Sequence, residues 1–384
     1  MSDPSILQES HCPLCGGTAV ALPVPHPNQS IVSDGQTVSR ALRKQSCLQC
    51  GAASHTSRVP DDKVRAIYDA GYQLAGAAPK SDAARARAFA DWFRNEEMAP
   101  RSVLEVGCGS GALLRELSSI WPEATLTGID PALPGPGRSD GRLRLERGFV
   151  EDIPNDVRDF DLILAVNVIE HMPDPARFLA SLQARLGPGS KIWIVCPAAE
   201  PPNVELLFHD HLYSLTPDAL DFAVRSTPLV ARSTAPAPPA VGDFRMTVFD
   251  AVGRTAVQPA RQHSFSDLWS ERKSYLECWK TLDGVLLTRL KPASRLVMFG
   301  GGQTAALLRA YAPCIWARTE AIILDEVSES WTLDKPIEAY GRAVKELAGV
   351  EVLIATAPRV QKIIFERLRE DGVRSIRWDD VITA

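Results

Sequence analysis

The chain has 384 residues, enough for two or three domains, and its 23% charged and 45% hydrophobic residues are the balance of an ordinary globular protein. A net charge of -5 gives nucleic acid no electrostatic reason to bind, and apolar stretches such as 162–169 are far too short to span a bilayer. Residues 1–10 carry no basic segment followed by an apolar run, so no signal peptide is expected; the expected compartment is the cytoplasm, with neither membrane nor nucleic acid as partner.

Four of the eight cysteines form two knuckles, Cys12-Pro13-Leu14-Cys15-Gly16 and Cys47-Leu48-Gln49-Cys50-Gly51, with thirty-one residues between Cys15 and Cys47. A glycine after each second cysteine lets amides turn toward the sulfurs, and four thiolates can close a tetrahedron around Zn2+. Two disulfides or a redox pair are the other readings. A reducing compartment disfavours the first and the matched knuckles disfavour the second. Cys12, Cys15, Cys47 and Cys50 are therefore the expected ligands of a structural zinc in a module spanning residues 1–60, which holds too little apolar material to fold without metal.

Residues 61–99 read as a helical linker, with helices over 61–74 and 81–97. Ser81 or Asp82 is the expected cap, and Ala84, Ala88 and Trp92 fall along one side. Tyr68 and Tyr72, four positions apart, share a face and serve either packing or contact with a cofactor.

The stretch Val103-Leu104-Glu105-Val106-Gly107-Cys108-Gly109-Ser110-Gly111 reads as a buried strand running into a glycine turn and a helix. Glycine lets backbone amides approach a ligand closely. A second strand over 125–129 ends at Asp130, nineteen residues after Gly111, where an acid can accept both hydroxyls of a ribose. The G-x-G-x-G spacing, with Glu105 before it and Asp130 after it, resembles the class I S-adenosylmethionine-dependent methyltransferases. The resemblance implies that Gly107, Gly109 and Gly111 pass the methionine part of the cofactor and that Asp130 holds its ribose. It places Phe149 in the adenine pocket, where relatives often carry an acid, so stacking is expected there.

Further strands are expected near 143–145, over 160–166 and over 191–196, with a Pro/Gly loop at 131–141 and a turn at Gly187-Pro188-Gly189. The segment Asn167 to Pro175 resembles the post-strand motif of the same family; it puts Asn167 beside the cofactor and His171 at the ligand crevice. Next comes Phe208-His209-Asp210-His211. If it is extended, His209 and His211 point one way and Asp210 the other; if it is helical, the three diverge. It is either catalytic or a polar loop capped by Thr216 before a helix at 217–224. The core, residues 100–255, closes with a hairpin near 229–234 and 244–249, whose tip Ala235-Pro236-Ala237-Pro238-Pro239-Ala240 should not pair.

A bridging segment, 256–290, carries a helix with Tyr275, Trp279, Leu282, Leu286 and Leu290 on a buried stripe. Residues 291–384 repeat the strand, glycine turn (Gly300-Gly301-Gly302), helix, strand and acid (Asp325) order, and read as a small parallel α/β domain. The fold class is thus α/β: a Rossmann-like core with an N-terminal zinc module and a C-terminal parallel α/β domain.

This layout resembles the three-domain sugar C-methyltransferases of deoxysugar biosynthesis, in which Phe208-His209-Asp210-His211 corresponds to a tyrosine-histidine-glutamate-histidine stretch. The resemblance implies methylation of a carbon beside the ketone of a nucleotide-linked sugar, with His211 as base and Asp210 and His171 in support. Phe208 stands where that family has tyrosine. An O- or N-methyltransferase of another small metabolite, or a scaffold that binds S-adenosylmethionine without catalysis, are the alternatives.

Overall fold

The computed structural model describes residues 9–69, 79–133, 137–154, 157–251, 264–291, 294–327, 334–344, 347 and 349–382. Tyr72 and the expected boundary near residue 255 lie outside them, as does the end of the first linker helix, which is described as Asp61–Asp69.

Three sheets organise the chain. In the first, β1 (Glu9–His11), β2 (Thr18–Ala21), β5 (Lys44–Cys47) and β6 (Ala53–His55) form an antiparallel meander, with β3 (Ser30–Ile31) and β4 (Thr37–Val38) as a separate ribbon. The second contains β7 (Ser102–Val106), β8 (Thr125–Asp130), β9 (Arg138–Asp140), β10 (Leu143–Arg147), β11 (Phe160–Val166) and β12 (Leu186–Pro197). The short strand β13 (Tyr213–Ser214) belongs to the first sheet; β14 (Leu229–Pro236) and β15 (Phe244–Ala251) complete the second. The third comprises β16 (Leu296–Phe299), β17 (Thr319–Leu324), β18 (Ile337–Ala339), β19 (Glu351–Ile354) and β20 (Arg374–Arg377).

The second sheet runs β14-β15-β12-β11-β7-β8-β10-β9, with β15 antiparallel to β12. Its segment β10-β8-β7-β11-β12 is parallel and has the doubly wound order 3-2-1-4-5. Such strands are covered on both faces, and Val103, Leu104 and Leu162 to Ala165 are completely buried. The third sheet, β18-β17-β16-β19-β20, is all parallel and has the same order. In such sheets ligands bind beyond the carboxyl ends of the strands where the order reverses. Here that is after β7 and β11 in one sheet, and after β16 and β19 in the other.

Several expectations are corrected. Residues 138–140 of the expected loop pair antiparallel with β10. The Gly187-Pro188-Gly189 segment lies within β12, where an irregularity between Phe160 and Leu162 absorbs the extra residues. Ala235 and Pro236 do pair, opposite Met246 and Arg245, because β14 is an edge strand and its missing N–H faces no partner. On the helix Pro79–Arg94 the buried face is Ala86, Phe89, Ala90, Trp92 and Phe93, while Ala84 is exposed. The large aromatic rings pull the helix round toward Trp193 of β12, which Phe93 meets edge-on at 5.4 Å.

The helix Ser266–Arg289 buries Trp279, Leu282 and Leu286 as expected, with Leu290 buried just past its end, but Leu276 is buried where Tyr275 was expected and Tyr275 is only half-buried. The helix also buries Arg272 completely. That guanidinium donates to Gly51 O (2.7 Å), Ser46 Oγ (2.9 Å) and Ala199 O (3.3 Å), and so ties the first sheet to the end of β12.

Candidate functional site

Gly107 and Gly111 have φ of +75° and +79°, which L side chains rarely adopt. A Cβ on Gly107 would lie 2.3 Å from Val168 Cγ2, and one on Gly111 2.8 Å from Leu145 Cδ1, so only glycine fits. The turn is pinned from β8: Asp130 accepts from the amides of Gly109 (Oδ2, 2.8 Å) and Ala132 (Oδ1, 2.8 Å). Burial raises the Asp130 pKa, and these two amides oppose the rise.

Glu105 is buried at the end of β7, and its Oε2 has no hydrogen-bond partner among the described residues. Burial, helped by Asp130, raises its pKa to about 8. Asn167, at φ +57° after β11, has a buried Oδ1 that also lacks a partner among the described residues. Phe149 lies under the Arg65 guanidinium at 4.1 Å. Tyr68 sits edge-on to both Phe149 (6.5 Å) and His171 (6.2 Å). Glu105, Asp130, Asn167, Phe149 and Tyr68 line one cavity of about 1230 Å3.

The same cavity continues to His171, His211, Glu170 and Glu205, and then to Gln303, Arg359 and Asp379 around the third sheet. The His171 and His211 rings stand 4.9 Å apart at 88°. His171 Nδ1 lies 2.9 Å from the Asp210 carbonyl; a carbonyl can only accept, so Nδ1 carries the proton and Nε2 is the acceptor. Burial lowers its pKa to about 4. His211 Nδ1 faces Glu205 Oε2 at 3.4 Å. Burial alone would lower the His211 pKa, but the Glu205 bond and the Asp210 charge hold it above the usual value.

The expected grouping is therefore rearranged. Asp210 does not hold the His211 ring: its Oδ2 lies 3.6 Å from His171 Nδ1, and Ser33 binds it through N (2.8 Å) and Oγ (2.5 Å). Burial would raise the Asp210 pKa, yet His171, His211 and Ser33 hold it below the ordinary range. His209 and His211 do not share a side either. The chain bends at 209–210, and His209 bonds Ser30 Oγ (2.9 Å) and meets the His55 ring at 5.1 Å, away from the cavity. Thr216 caps the helix Pro217–Ala223 as expected, accepting from Ala219 N.

The comparisons with known proteins bear on the same region. Residues 77–225 match the family model described as a methyltransferase domain. The middle of the chain is a class I S-adenosylmethionine-dependent methyltransferase domain. It is similar to a trans-aconitate 2-methyltransferase of Deinococcus radiodurans, 29% identical over 100 residues, which are 25% of this chain and 38% of that one. It is similar also to a probable chloroplastic tocopherol O-methyltransferase of Oryza sativa subsp. japonica, 33% identical over 166 residues, 38% of this chain and 44% of that one. The chain thus spans less than half the length of these curated relatives. Among solved structures, the mitomycin 7-O-methyltransferase MmcR aligns over 50% of this chain and 58% of that one at 15% identity, with a TM-score of 0.37, too distant to carry further argument.

Beside the methyltransferase domain, Cys12, Cys15, Cys47 and Cys50 converge. Their sulfurs lie 3.8 Å (Cys12 to Cys50) and 3.4 Å (Cys15 to Cys47) apart. A tetrahedral Zn2+ with bonds of about 2.3 Å needs sulfurs about 3.8 Å apart. Amides of Gly17, Gln49 and Cys50 point at Cys15 and Cys47 Sγ at 3.3–3.4 Å, as they do toward thiolates, so the donor set fits the ion.

Sequence reasoning missed Glu205, Glu170, Ser33 and Arg272. Glu205 had a local signal, an acid six positions before His211. Ser33 and Arg272 reach the methyltransferase domain from distant parts of the chain, and nothing local announces them.

Proposed function

We propose that the protein transfers the methyl group of S-adenosylmethionine to a small-molecule acceptor. The supporting observation is the single cavity of about 1230 Å3 running from Glu105 and Asp130 past the two histidines to the third sheet. Ligand pockets usually measure about 300–1,000 Å3, so this one has room for a cofactor and an acceptor together. Glycine-turn amides and Asp130 would hold the methionine part and ribose, Phe149 and Tyr68 would wall the adenine, and the Glu105 carboxylate would meet the cationic end of the methionine part. Asn167 Oδ1 offers one further acceptor.

The cofactor supplies a methyl already activated for transfer, so the chain has to align it and move a proton. His211 is the base: Glu205 fixes its Nδ1–H, leaving Nε2 as the proton acceptor. His171 accepts at Nε2, and so suits an acceptor hydroxyl rather than polarisation of a ketone. Asp210 and Ser33 hold the His171 side of the pocket.

For the acceptor, the whole-chain layout supports a carbon beside the ketone of a nucleotide-linked deoxysugar. The names of the relatives, tocopherol and ubiquinone-biosynthesis O-methyltransferases among them, support an oxygen instead. Product mass analysis with S-adenosylmethionine and a panel of keto sugars, reduced sugars and phenols separates the two. Gain of a methyl with loss of the exchangeable α-proton supports carbon; gain on reduced or phenolic acceptors alone removes the carbon reading. The four cysteines would hold structural Zn2+, as thiolates suited to the reducing cytoplasm.

A further inference from the structure

Glu170 and His171 sit side by side in the single turn Ile169–His171 after β11, and His211 arrives from the bend at Asp210. One ligand atom from each of the three lies within 4.8 Å of the other two. Glu170 is 2% exposed, and among the described residues neither of its carboxylate oxygens has a hydrogen-bond partner. A buried acid without partners is costly, and its position against two imidazoles says what kind of partner would satisfy it.

The imidazoles are prepared in the same sense. His171 donates Nδ1–H to the Asp210 carbonyl and His211 donates Nδ1–H toward the Glu205 carboxylate, so each keeps an Nε2 lone pair. Metal-bound histidines are held in this way, the outer nitrogen tied to a carbonyl or carboxylate. The outer partners are themselves fixed: Ser33 binds Asp210, and Ser214 Oγ donates to Glu205 Oε1. Two imidazole nitrogens and one carboxylate are a donor set for Zn2+, Co2+ or Fe2+, and the adjoining cavity leaves coordination positions open.

We propose that Glu170, His171 and His211 bind a divalent transition-metal ion, at a site separate from the four-cysteine cluster. The ion takes the Nε2 lone pair assigned above to proton removal. The metal-free form is therefore the one competent for that step, a consequence that rests on the proposed methyl transfer, whereas the site itself does not.

The 384-residue chain with zinc already in its cysteine cluster is dialysed against Co2+ and the metals are counted per chain, with circular dichroism as the check that each variant is folded and S-adenosylmethionine binding followed separately by calorimetry. The expected result is one Co2+ taken up beyond the zinc, with the weak visible absorption of nitrogen- and oxygen-bound cobalt and without a thiolate charge-transfer band. Glu170→Gln and Glu170→Ala should lose at least tenfold in cobalt affinity and the cobalt-dependent rise in Tm. Wild-type protein that takes up no second ion, or a Gln variant that binds it as tightly, overturns the site. In the methyl-transfer assay cobalt should lower the rate, and a higher rate overturns the competition. Protein that binds cobalt but no S-adenosylmethionine sinks the methyl-transfer reading while upholding the site.

Discussion

Replacing Glu105 by Gln separates two consequences of burying one carboxylate. Burial and the nearby Asp130 raise the Glu105 pKa from the ordinary 4.5 to about 8 in the cofactor-free protein. At about 1.36 kcal/mol per unit, ionising it there costs on the order of 5 kcal/mol, an upper bound because cavity water can relax around it. The folded pKa lies above the unfolded one. Its contribution to stability is therefore present below pH 4.5 and is lost as pH rises toward 8. Glu105→Gln removes that loss, so thermal unfolding without cofactor should show the variant gaining on wild type by up to about 1.4 kcal/mol per pH unit across this window. Binding should move the other way. A cationic group of the cofactor favours the ionised carboxylate, so wild-type affinity for S-adenosylmethionine should rise from pH 6 to 7.5 by up to about tenfold per unit, while the variant binds more weakly with a flat profile. S-adenosylhomocysteine, which lacks the sulfonium charge, tells which cation is sensed: a slope that survives points to the ammonium. Calorimetry giving equal affinities and equal slopes for the two proteins would refute the pairing of Glu105 with the cofactor.

Other perturbations test other parts of the site. Glu205→Gln keeps an acceptor for Ser214 but removes the carboxylate from His211; turnover should fall about 10- to 100-fold with S-adenosylmethionine affinity unchanged, and a near-normal rate would remove Glu205 from the proton path. Gly107→Ala must relieve a 2.3 Å clash at Val168 and adopt positive φ, so calorimetry should show cofactor binding lost even where circular dichroism shows a folded protein. Arg272→Leu strips partners from Gly51 O and Ala199 O, and denaturant unfolding should show a loss of about 3 kcal/mol. Cys47→Ser, or removal of zinc by chelation, should abolish turnover as well as lower Tm, because the cluster stands next to strand β6, whose partner β13 follows the histidine segment.

The glycine turn, the strand ends and the cysteine knuckles were legible because each is local. Gly107, Gly109 and Gly111 are required by backbone geometry within one turn, and β7 and β11 are short, mostly apolar runs buried on both faces. Strand length was less legible. The extension of β12 back to Leu186 depends on how β11 pairs with it, and the pairing of Pro236 depends on β14 being an edge. The grouping around the histidines was the least legible. Adjacency in sequence suggested that Asp210 serves His211, but Asp210 faces His171 and Ser33, and His211 faces Glu205. A single bend at 209–210 reverses that assignment.

The segment that carries His211 is held by the first sheet, and this changes what the cysteine module does. Strand β13, three residues after Asp210, pairs with β6 as Tyr213 to Ser54 and Ser214 to Ala53, so the segment following the histidines becomes the fifth strand of the cysteine sheet. His55 N donates to Leu212 O (3.3 Å), His209 N to Ile31 O (2.7 Å), and Thr216 Oγ1 to Cys50 O (2.6 Å). Every one of these bonds joins the N-terminal residues to the segment between His209 and Thr216. Arg272 adds a side-chain link, since it touches Gly51 O on one side and Ser214 Oγ on the other, and Ser214 in turn reaches Glu205 beside His211. A metal bound by Cys47 and Cys50 would therefore also fix the backbone from which His211 is presented. The module lends Ser33 to the methyltransferase site and braces the segment that carries His211, so its loss should cost geometry at His211 before it costs the fold of the central sheet.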